Sequence, residues 1–263
     1  TAISLIQKGI NIEAIIDNRE EINSKLIYEV EKNNIKIFKG YTVIDTSGYK
    51  RINKISIMQL SKDGQKVVGS QINLSCDCLG ISGGWTPAVH LFTQSGGKLR
   101  FREEDQVFIP NTYPSDQLSI GACNGNLTLD EILRTTPESL REFLNVKSSD
   151  YDNLEVLSEA NKFKRNIWLL PSNKVLGKTK SFVDYQNDAT SKDIKLALRE
   201  GFRSIEHVKR YTTTGMGTDQ GKLGNMHALG IISETAGTKM GELGTTTFRP
   251  PYTPLTFGTI VGR

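Results

Sequence analysis

The spacing of hydrophobic positions predicts strands in the N-terminal half of the chain and helices near its C-terminus. Residues 1–8 have the periodicity of a helix and are followed by an apolar strand, Ile12–Ile16, that ends at Asp17. A helix around Glu21–Asn33 and a strand at Lys36–Phe38 come next. An acidic residue at the tip of such a strand is where dinucleotide-binding folds hold a ribose hydroxyl.

The glycine-rich turn of those folds lies about 20 residues before the acidic residue. That position falls before the first residue of this sequence, which also has no initiator Met. We therefore expect the chain to be a piece of a longer protein. An ordinary strand-terminal Asp remains an equally good interpretation of Asp17.

Residues 54–60 alternate between apolar and polar side chains and predict a strand, with a turn at Asp63–Gly64 and a second strand up to Asn73. The stretch Leu79–Pro87 then reads LGISGGWTP. It is similar to the crossover by which flavoproteins with two dinucleotide-binding domains return from the inserted domain to the first. Glycines permit the close backbone approach that a tight crossover needs.

A short strand is predicted at Leu118–Gly121, followed by a helix that Thr128 caps and Glu131 completes as a capping box. In flavin-binding relatives this strand ends in Gly-Asp, and the Asp holds the ribityl chain of FAD. Here the pair is Gly121-Ala122, which argues against FAD and favours a dinucleotide without a ribityl chain. The helix N-terminus is a candidate seat for its pyrophosphate.

The C-terminal helices carry a second candidate site. A capping box at Thr190 and Asp193 opens one helix, Ser204 caps another, and a third begins near Asn225. Between the last two helices lies the glycine-rich loop, Thr212–Gly221. Cations flank it: Lys209, Arg210 and Lys222, with Gln220 inside the loop. These groups could seat a phosphate, or the cations could simply cap helix carbonyls.

Composition narrows the class of protein. The 263 residues are 37% hydrophobic and 24% charged, with a mean hydropathy of −0.35, which indicates a globular chain without membrane spans. A net charge of +4 is too small to indicate a nucleic-acid binder, although residues 160–222 hold 13 basic against 6 acidic residues. The three cysteines favour buried free thiols in a reducing compartment, the cytoplasm, over a disulfide or metal site.

Four stretches resemble the alpha subunits of heterotetrameric sarcosine oxidases: SGGWTPAVHLFTQSGGKLRF, FVDYQND, EHVKRYTTTGMGTDQGK and TTFRPPYTP. The resemblance implies an α/β fold, with part of a glutathione-reductase-like, two-dinucleotide-domain Rossmann region followed by a small, mainly helical domain. The implied divisions are a nucleotide-binding region at 1–135, a linker at 136–180, a helical A3-type domain at 181–250, and, at 251–263, the connection to an aminomethyltransferase-like folate domain outside this sequence.

The family demethylates sarcosine oxidatively to glycine, passes the one-carbon unit to tetrahydrofolate and forms hydrogen peroxide. The resemblance implies NAD in the alpha subunit, a covalently attached FMN at the alpha–beta interface, FAD on the beta subunit, and gamma and delta subunits as further partners. It places NAD against Gly121, Ala122, Leu127 and Leu129, with Asp17 as a weaker candidate. FMN contacts are expected from Lys209, Arg210, Gln220 and Lys222.

The helical domain resembles the [2Fe-2S] domains of related dehydrogenases, whose four cysteine positions align with Asp184, Gln186, Asp219 and Gly224. Cluster irons need thiolates, so we expect no iron–sulfur cluster. We also expect no catalytic residue in this chain, structural roles for His90, His207 and His227, and no activity of the chain alone. The alternatives are the alpha subunit of a related amine, proline or opine dehydrogenase, or a non-catalytic assembly module.

Overall fold

A computed structural model describes residues 1–22, 24, 26–114, 116–146, 166–171, 180–250 and 253–261. The chain divides into two units. The first comprises Thr1–Gly83 with Leu170–Lys178, and the second comprises Gly84–Leu169 with Thr179–Arg263.

The first unit contains a parallel pair of strands joined by a helix. Helix α1 (Ala2–Gln7) precedes β1 (Ala14–Asp17), and α2 (Leu26–Lys32) leads to β2 (Lys36–Lys39). The register places Asp17 opposite Lys39. Parallel neighbours require a crossover connection, which α2 supplies. The predicted order of strand, helix and strand is confirmed, whereas a complete Rossmann fold stays a prediction.

A three-stranded antiparallel sheet completes this unit. Its strands are β3 (Tyr41–Gly48), β4 (Ile52–Leu60) and β5 (Val67–Ser75), in that spatial order. The predicted pair of strands is present, and β3 pairs along the other side of β4. Phe38, Ile55 and Ile57 form the buried centre of the unit.

The second unit begins with a short helix and a hairpin. Its first elements are α3 (His90–Gln94), β6 (Lys98–Arg102), β7 (Val107–Thr112), a 3₁₀ turn (Gly121–Asn124) and α4 (Leu129–Leu144). The strand predicted at Leu118–Gly121 is not formed, because the described residues before the turn pair with no other strand. Helix α4 continues past Pro137, so its last turns occupy the start of the predicted linker.

The remaining elements of the second unit are mainly helical. They are β8 (Phe182–Asp184), β9 (Ala189–Thr190), α5 (Ser191–Arg199), α6 (Ile205–Thr212), α7 (Asn225–Ala236), α8 (Met240–Leu243) and α9 (Phe257–Ile260). The predicted capping box at Thr190 and Asp193 is formed. Ser204 holds the predicted N-cap position of α6, but its side chain makes no capping hydrogen bond.

The helical core extends to the β6–β7 hairpin. Ile194, Ala197 and Ile232 are fully buried at its centre, and Phe108 of β7 belongs to the same cluster. The unit therefore differs from the predicted division near residue 135, because apolar side chains of the hairpin pack with the helices.

The cysteines are free thiols, but they are not all buried as predicted. Cys78 is exposed because it follows the end of β5, while Cys76 and Cys123 are half-buried. Among the described residues, no helix combines the length and apolar character needed to cross a membrane.

Candidate functional site

The segment Gly121–Leu129 is fixed to the hairpin by an arginine. The Arg102 guanidinium donates a hydrogen bond to the Gly125 carbonyl (2.8 Å) and forms an ion pair with Asp105. Gly125 has a φ of +83°, and a Cβ there would lie 2.7 Å from Arg102 Nη2 and 2.8 Å from Ile109 Cγ2. Only glycine fits this close approach, so the turn before α4 is held at a defined position.

The first turn of α4 is already capped by its own side chains. Thr128 Oγ1 accepts a hydrogen bond from the Glu131 N–H (3.3 Å), and a Glu131 carboxylate oxygen accepts one from the Thr128 N–H (3.4 Å). This arrangement confirms the predicted capping box and places a carboxylate where an anion would otherwise bind. The geometry therefore disfavours the predicted pyrophosphate seat at this end of the helix.

Apolar side chains are exposed beside that capped end. Leu127 is 42% and Leu129 is 56% accessible, and Ala122 is also exposed. Gly121 is buried and has a φ of +67°. The segment thus offers a small apolar surface next to backbone groups, which suits contact with a flat ring or a ribose better than contact with a phosphate.

The glycine-rich loop is packed around two side chains. A Cβ on Gly221 would lie 2.0 Å from Asn225 Oδ1, and one on Gly215 would lie 2.3 Å from the same atom. A Cβ on Gly217 would lie 2.2 Å from Gln186 Oε1. These glycines are therefore required by internal packing, whether or not the loop also binds a phosphate.

Polar bonds join this loop to the turn after β8. Asp184 is buried, and its carboxylate accepts hydrogen bonds from the N–H groups of Gln186 (2.8 Å), Asn187 (3.0 Å) and Gly215 (2.6 Å). Gln186 accepts from the Asp219 N–H at 3.0 Å. A Cβ on Gly224 would lie 2.4 Å from the Val183 carbonyl oxygen. The positions aligned with cluster cysteines are thus close together but hold no thiolate.

The segment Thr245–Arg249, here called the strap, lies across α6 and the loop. Glu206 accepts a hydrogen bond from the Thr247 N–H (2.6 Å), and Lys209 Nζ donates to the Thr247 carbonyl (3.2 Å). Arg210 bonds the backbone carbonyl and the carboxylate of Glu206 within its own helix. Two of the predicted FMN contacts, Lys209 and Arg210, therefore bond groups of the protein itself.

Electrostatics distinguish these two cations. Burial lowers the pKa of Lys209 below its ordinary value. The charge of Glu206 raises this pKa, whereas the charges of Arg249 and Arg210 lower it further. Burial raises the pKa of Glu206, but its bond to Thr247 and the two neighbouring cations outweigh that effect and lower the pKa overall. Lys209 is therefore a buried link to the strap, while the Arg210 side chain is 54% accessible.

The loop and the strap also meet at Gln220 and Asn225. Gln220 has a φ of +53°, and its side chain donates to the Gly217 carbonyl (3.0 Å) and accepts from the Arg249 N–H (3.3 Å). Asn225 Nδ2 donates to Thr246 Oγ1 at 2.9 Å. The ring of Phe248 stacks on His90 with centroids 3.9 Å apart.

A cavity of about 30 Å³ lies beneath the strap. His90, Lys222, Asn225, Thr245 and Phe248 are among the residues that line it. Burial lowers the pKa of His90 to about 4, assisted by the charge of Lys222 and opposed by that of Asp219. The imidazole is therefore neutral near pH 7. The cavity is large enough for a water molecule but not for a nucleotide ring.

Asp17 lies in the first unit and is engaged by a neighbour. Arg19 Nε and Nη2 donate to its two carboxylate oxygens at 2.9 and 2.6 Å, and the Arg19 N–H donates as well. Burial raises the pKa of Asp17, but the hydrogen bonds and charge of Arg19 outweigh it and lower the pKa overall. The carboxylate that was predicted to hold a ribose is thus paired with Arg19.

The structure sorts the predicted residues into three places. One segment of the second unit holds Gly121, Ala122, Leu127 and Leu129. The loop and the strap are surrounded by Lys209, Arg210, Gln220 and Lys222. Asp17 belongs to the other unit. Sequence reasoning missed the structural partners of the second group. These are His90, Glu206, Asn225, Thr246 and Phe248. Of these, Asn225 had a usable signal, because it begins a helix directly behind a glycine-rich loop.

One family model matches the helical domain, and similarity to whole proteins covers nearly all of the chain. Residues 178–263 match the family described as the sarcosine oxidase A3 domain. The chain is 33% identical over 259 residues, 97% of its length, to sarcosine oxidase subunit alpha of Rhizobium meliloti (strain 1021), and covers 24% of that protein. It is 30% identical over 260 residues, 96% of its length, to the protein of the same name from Corynebacterium sp. (strain U-96), and covers 27% of it. The chain thus spans about a quarter of the length of these relatives.

A solved structure shows the same fold. The crystal structure of L-proline dehydrogenase from P. horikoshii has a TM-score of 0.54 with the chain at 18% sequence identity. The match covers 95% of this chain and 50% of that protein.

Proposed function

We propose that the chain is part of a sarcosine oxidase alpha subunit, about a quarter of whose length it matches, and that it positions cofactors in an amine-oxidising enzyme. The observation that carries this proposal is the similarity along 97% of the chain, across both units. The reaction is oxidative demethylation of sarcosine to glycine, with transfer of the one-carbon unit to tetrahydrofolate and formation of hydrogen peroxide.

NAD is proposed to bind at the segment Gly121–Leu129. The exposed side chains of Ala122, Leu127 and Leu129 support this position, because they leave an apolar surface beside a turn that the ring of a dinucleotide could cover. The Glu131 carboxylate in the capping box repels a phosphate, so the ring and ribose of the dinucleotide would face this segment. When bound, NAD would supply hydride-transfer chemistry.

FMN is proposed to lie near the glycine-rich loop, at the interface with the beta subunit. Arg210 is accessible, and Lys222 is half-buried at the end of the loop, so both fit as cations for a flavin phosphate. Lys209 fits less well as a direct contact, because it is buried and bonds the strap. Gln220 also fits less well as a direct contact, because its side chain bonds Gly217 and Arg249 and its N–H donates to the Gly217 carbonyl.

The remaining parts of the reaction are proposed to lie outside this chain. The beta subunit would hold FAD and oxidise the amine, the gamma and delta subunits would complete the assembly, and a folate-binding domain would accept the one-carbon unit. In the part of the chain that the structure describes, His207 and His227 are exposed and His90 is buried under the strap. The chain's own role is therefore to hold cofactors in position.

An iron–sulfur cluster does not fit the residues present. Asp184, Gln186 and Asp219 bond one another or nearby N–H groups, and none of them supplies the thiolate that cluster iron prefers. Iron and acid-labile sulfide present at stoichiometric levels in the purified protein would contradict this prediction.

Co-expression of the full alpha subunit with the beta, gamma and delta subunits tests the proposed function. The purified assembly should release NAD and non-covalent flavin on denaturation, retain a covalent flavin, and form hydrogen peroxide when sarcosine is added. An assembly without NAD or flavin would favour a non-catalytic module. Turnover of proline or an opine with a dye, but not of sarcosine with oxygen, would favour a dehydrogenase.

A further inference from the structure

Asn225, the first residue of α7, lies at the junction of the glycine-rich loop and the strap. Its side chain is 8% accessible. The Oδ1 atom occupies the space that a Cβ of Gly215 or of Gly221 would need. The two ends of the loop therefore close around one amide group.

The other end of the amide reaches the strap. Asn225 Nδ2 donates to Thr246 Oγ1 at 2.9 Å and to the Gln220 carbonyl at 3.4 Å. Thr246 is itself 3% accessible. This buried amide should keep the loop and the strap together. If either segment moved away, a buried polar group would lose its hydrogen bond, which costs free energy.

The loop and the strap share a second link beside the first. Gln220 Oε1 accepts a hydrogen bond from the Arg249 N–H. Gln220 holds a left-handed backbone conformation, with a φ of +53°, which costs free energy unless surrounding bonds stabilise it. The Asn225 bond to the Gln220 carbonyl supplies part of that stabilisation.

We propose that Asn225 is a positioning residue that ties the glycine-rich loop to the strap and thereby sets where Gln220 and Lys222 lie. The part of this proposal that concerns flavin rests on the proposed function, in which these two residues flank FMN. Movement of the strap would then move Gln220 and Lys222. The position of the strap is thereby coupled to the residues proposed to flank FMN.

Two isosteric substitutions separate the bonds involved. Asn225→Asp keeps the shape of the side chain but removes its two N–H donors and adds a buried charge. Thr246→Val removes only the acceptor on the strap. Ser233→Ala is the matched control, because Ser233 also lies on α7 and bonds the Thr238 carbonyl at 2.6 Å, at the other end of the helix.

Hydrogen exchange of the backbone amides in the assembled enzyme is the first readout. Asn225→Asp should raise the exchange rates of both the loop and the strap by at least about tenfold, because it removes both hydrogen bonds donated by Nδ2 and adds a buried charge. Thr246→Val should raise both by a smaller factor, and Ser233→Ala should leave both unchanged. Unchanged exchange in the loop with Asn225→Asp would overturn the proposal. Should that variant fail to assemble, unchanged loop exchange with Thr246→Val would overturn it.

The flavin absorption spectrum is the second readout, and a purely structural role elsewhere in the fold would not move it. The positioning role predicts a shifted flavin spectrum in both junction variants and the wild-type spectrum in Ser233→Ala. Faster exchange with an unaltered spectrum and flavin content would reject the placement of FMN at this loop, while supporting the link between loop and strap.

Discussion

The imidazole of His90 stacks on the phenyl ring of Phe248, with ring centroids 3.9 Å apart and planes inclined by 41°. The contact joins the start of α3 to the strap. Because both rings are buried, the strap covers a titratable group whose pKa lies far below its ordinary value.

Stability should therefore depend on pH through His90. Its pKa is about 4 in the folded protein and 6.5 for an unperturbed imidazole, so between these values the unfolded chain binds a proton that the folded chain does not. The free energy of unfolding should fall by about 2–3 kcal/mol as the pH is lowered from 7 to 4.5.

His90→Phe keeps an aromatic ring against Phe248 and removes the titration. Urea unfolding at pH 7 and pH 4.5 measures the effect, and the variant should lose less stability than the wild type over this interval. The same pH dependence in both proteins would show that another group is responsible.

Packing against Asn225 should make Gly221 intolerant of a side chain. Gly221→Ala and Gly237→Ala both introduce a Cβ at a positive φ, +74° and +68°, but only Gly221 has atoms in the way, whereas nothing lies within 4 Å at Gly237. Gly221→Ala should therefore be less stable than Gly237→Ala by about 1–3 kcal/mol in urea unfolding. Equal losses would mean that backbone strain alone accounts for both.

Lys209 and Arg210 should have different roles despite being neighbours. Lys209→Met removes a buried bond to the strap and should cost about 1 kcal/mol of stability, whereas Arg210→Met removes an exposed ion pair and should cost less than about 0.5 kcal/mol. The amount of covalently incorporated flavin should show the reverse order, with the larger loss in Arg210→Met. A larger flavin loss in Lys209→Met would restore Lys209 as the phosphate contact.

Local signals in the sequence predicted the elements well. The capping boxes predicted at Thr128 and Thr190 are both formed. These features depend on residues within one or two helical turns of each other, so their effect can be inferred from spacing alone.

Contacts between distant parts of the chain could not be predicted in the same way. Lys209 was expected to face a phosphate because it adjoins a glycine-rich loop, yet the strap buries it. The packing of Gly215 and Gly221 around Asn225, and the stacking of His90 on Phe248, also depend on how separate segments meet. The spacing of residues along the chain carries no information about these long-range contacts, which depend on the tertiary fold.

The NAD content of the assembled enzyme tests the proposed cofactor site most directly. Leu127→Asp places a charge on the apolar surface proposed to contact NAD, while Leu144→Asp makes the same change at another exposed leucine, at the far end of α4. Leu127→Asp should retain less than about a tenth of the wild-type NAD, since burying an unpaired charge costs well over 1.4 kcal/mol. Leu144→Asp should retain all of it. Stoichiometric NAD in Leu127→Asp would contradict the placement of NAD at Gly121–Leu129.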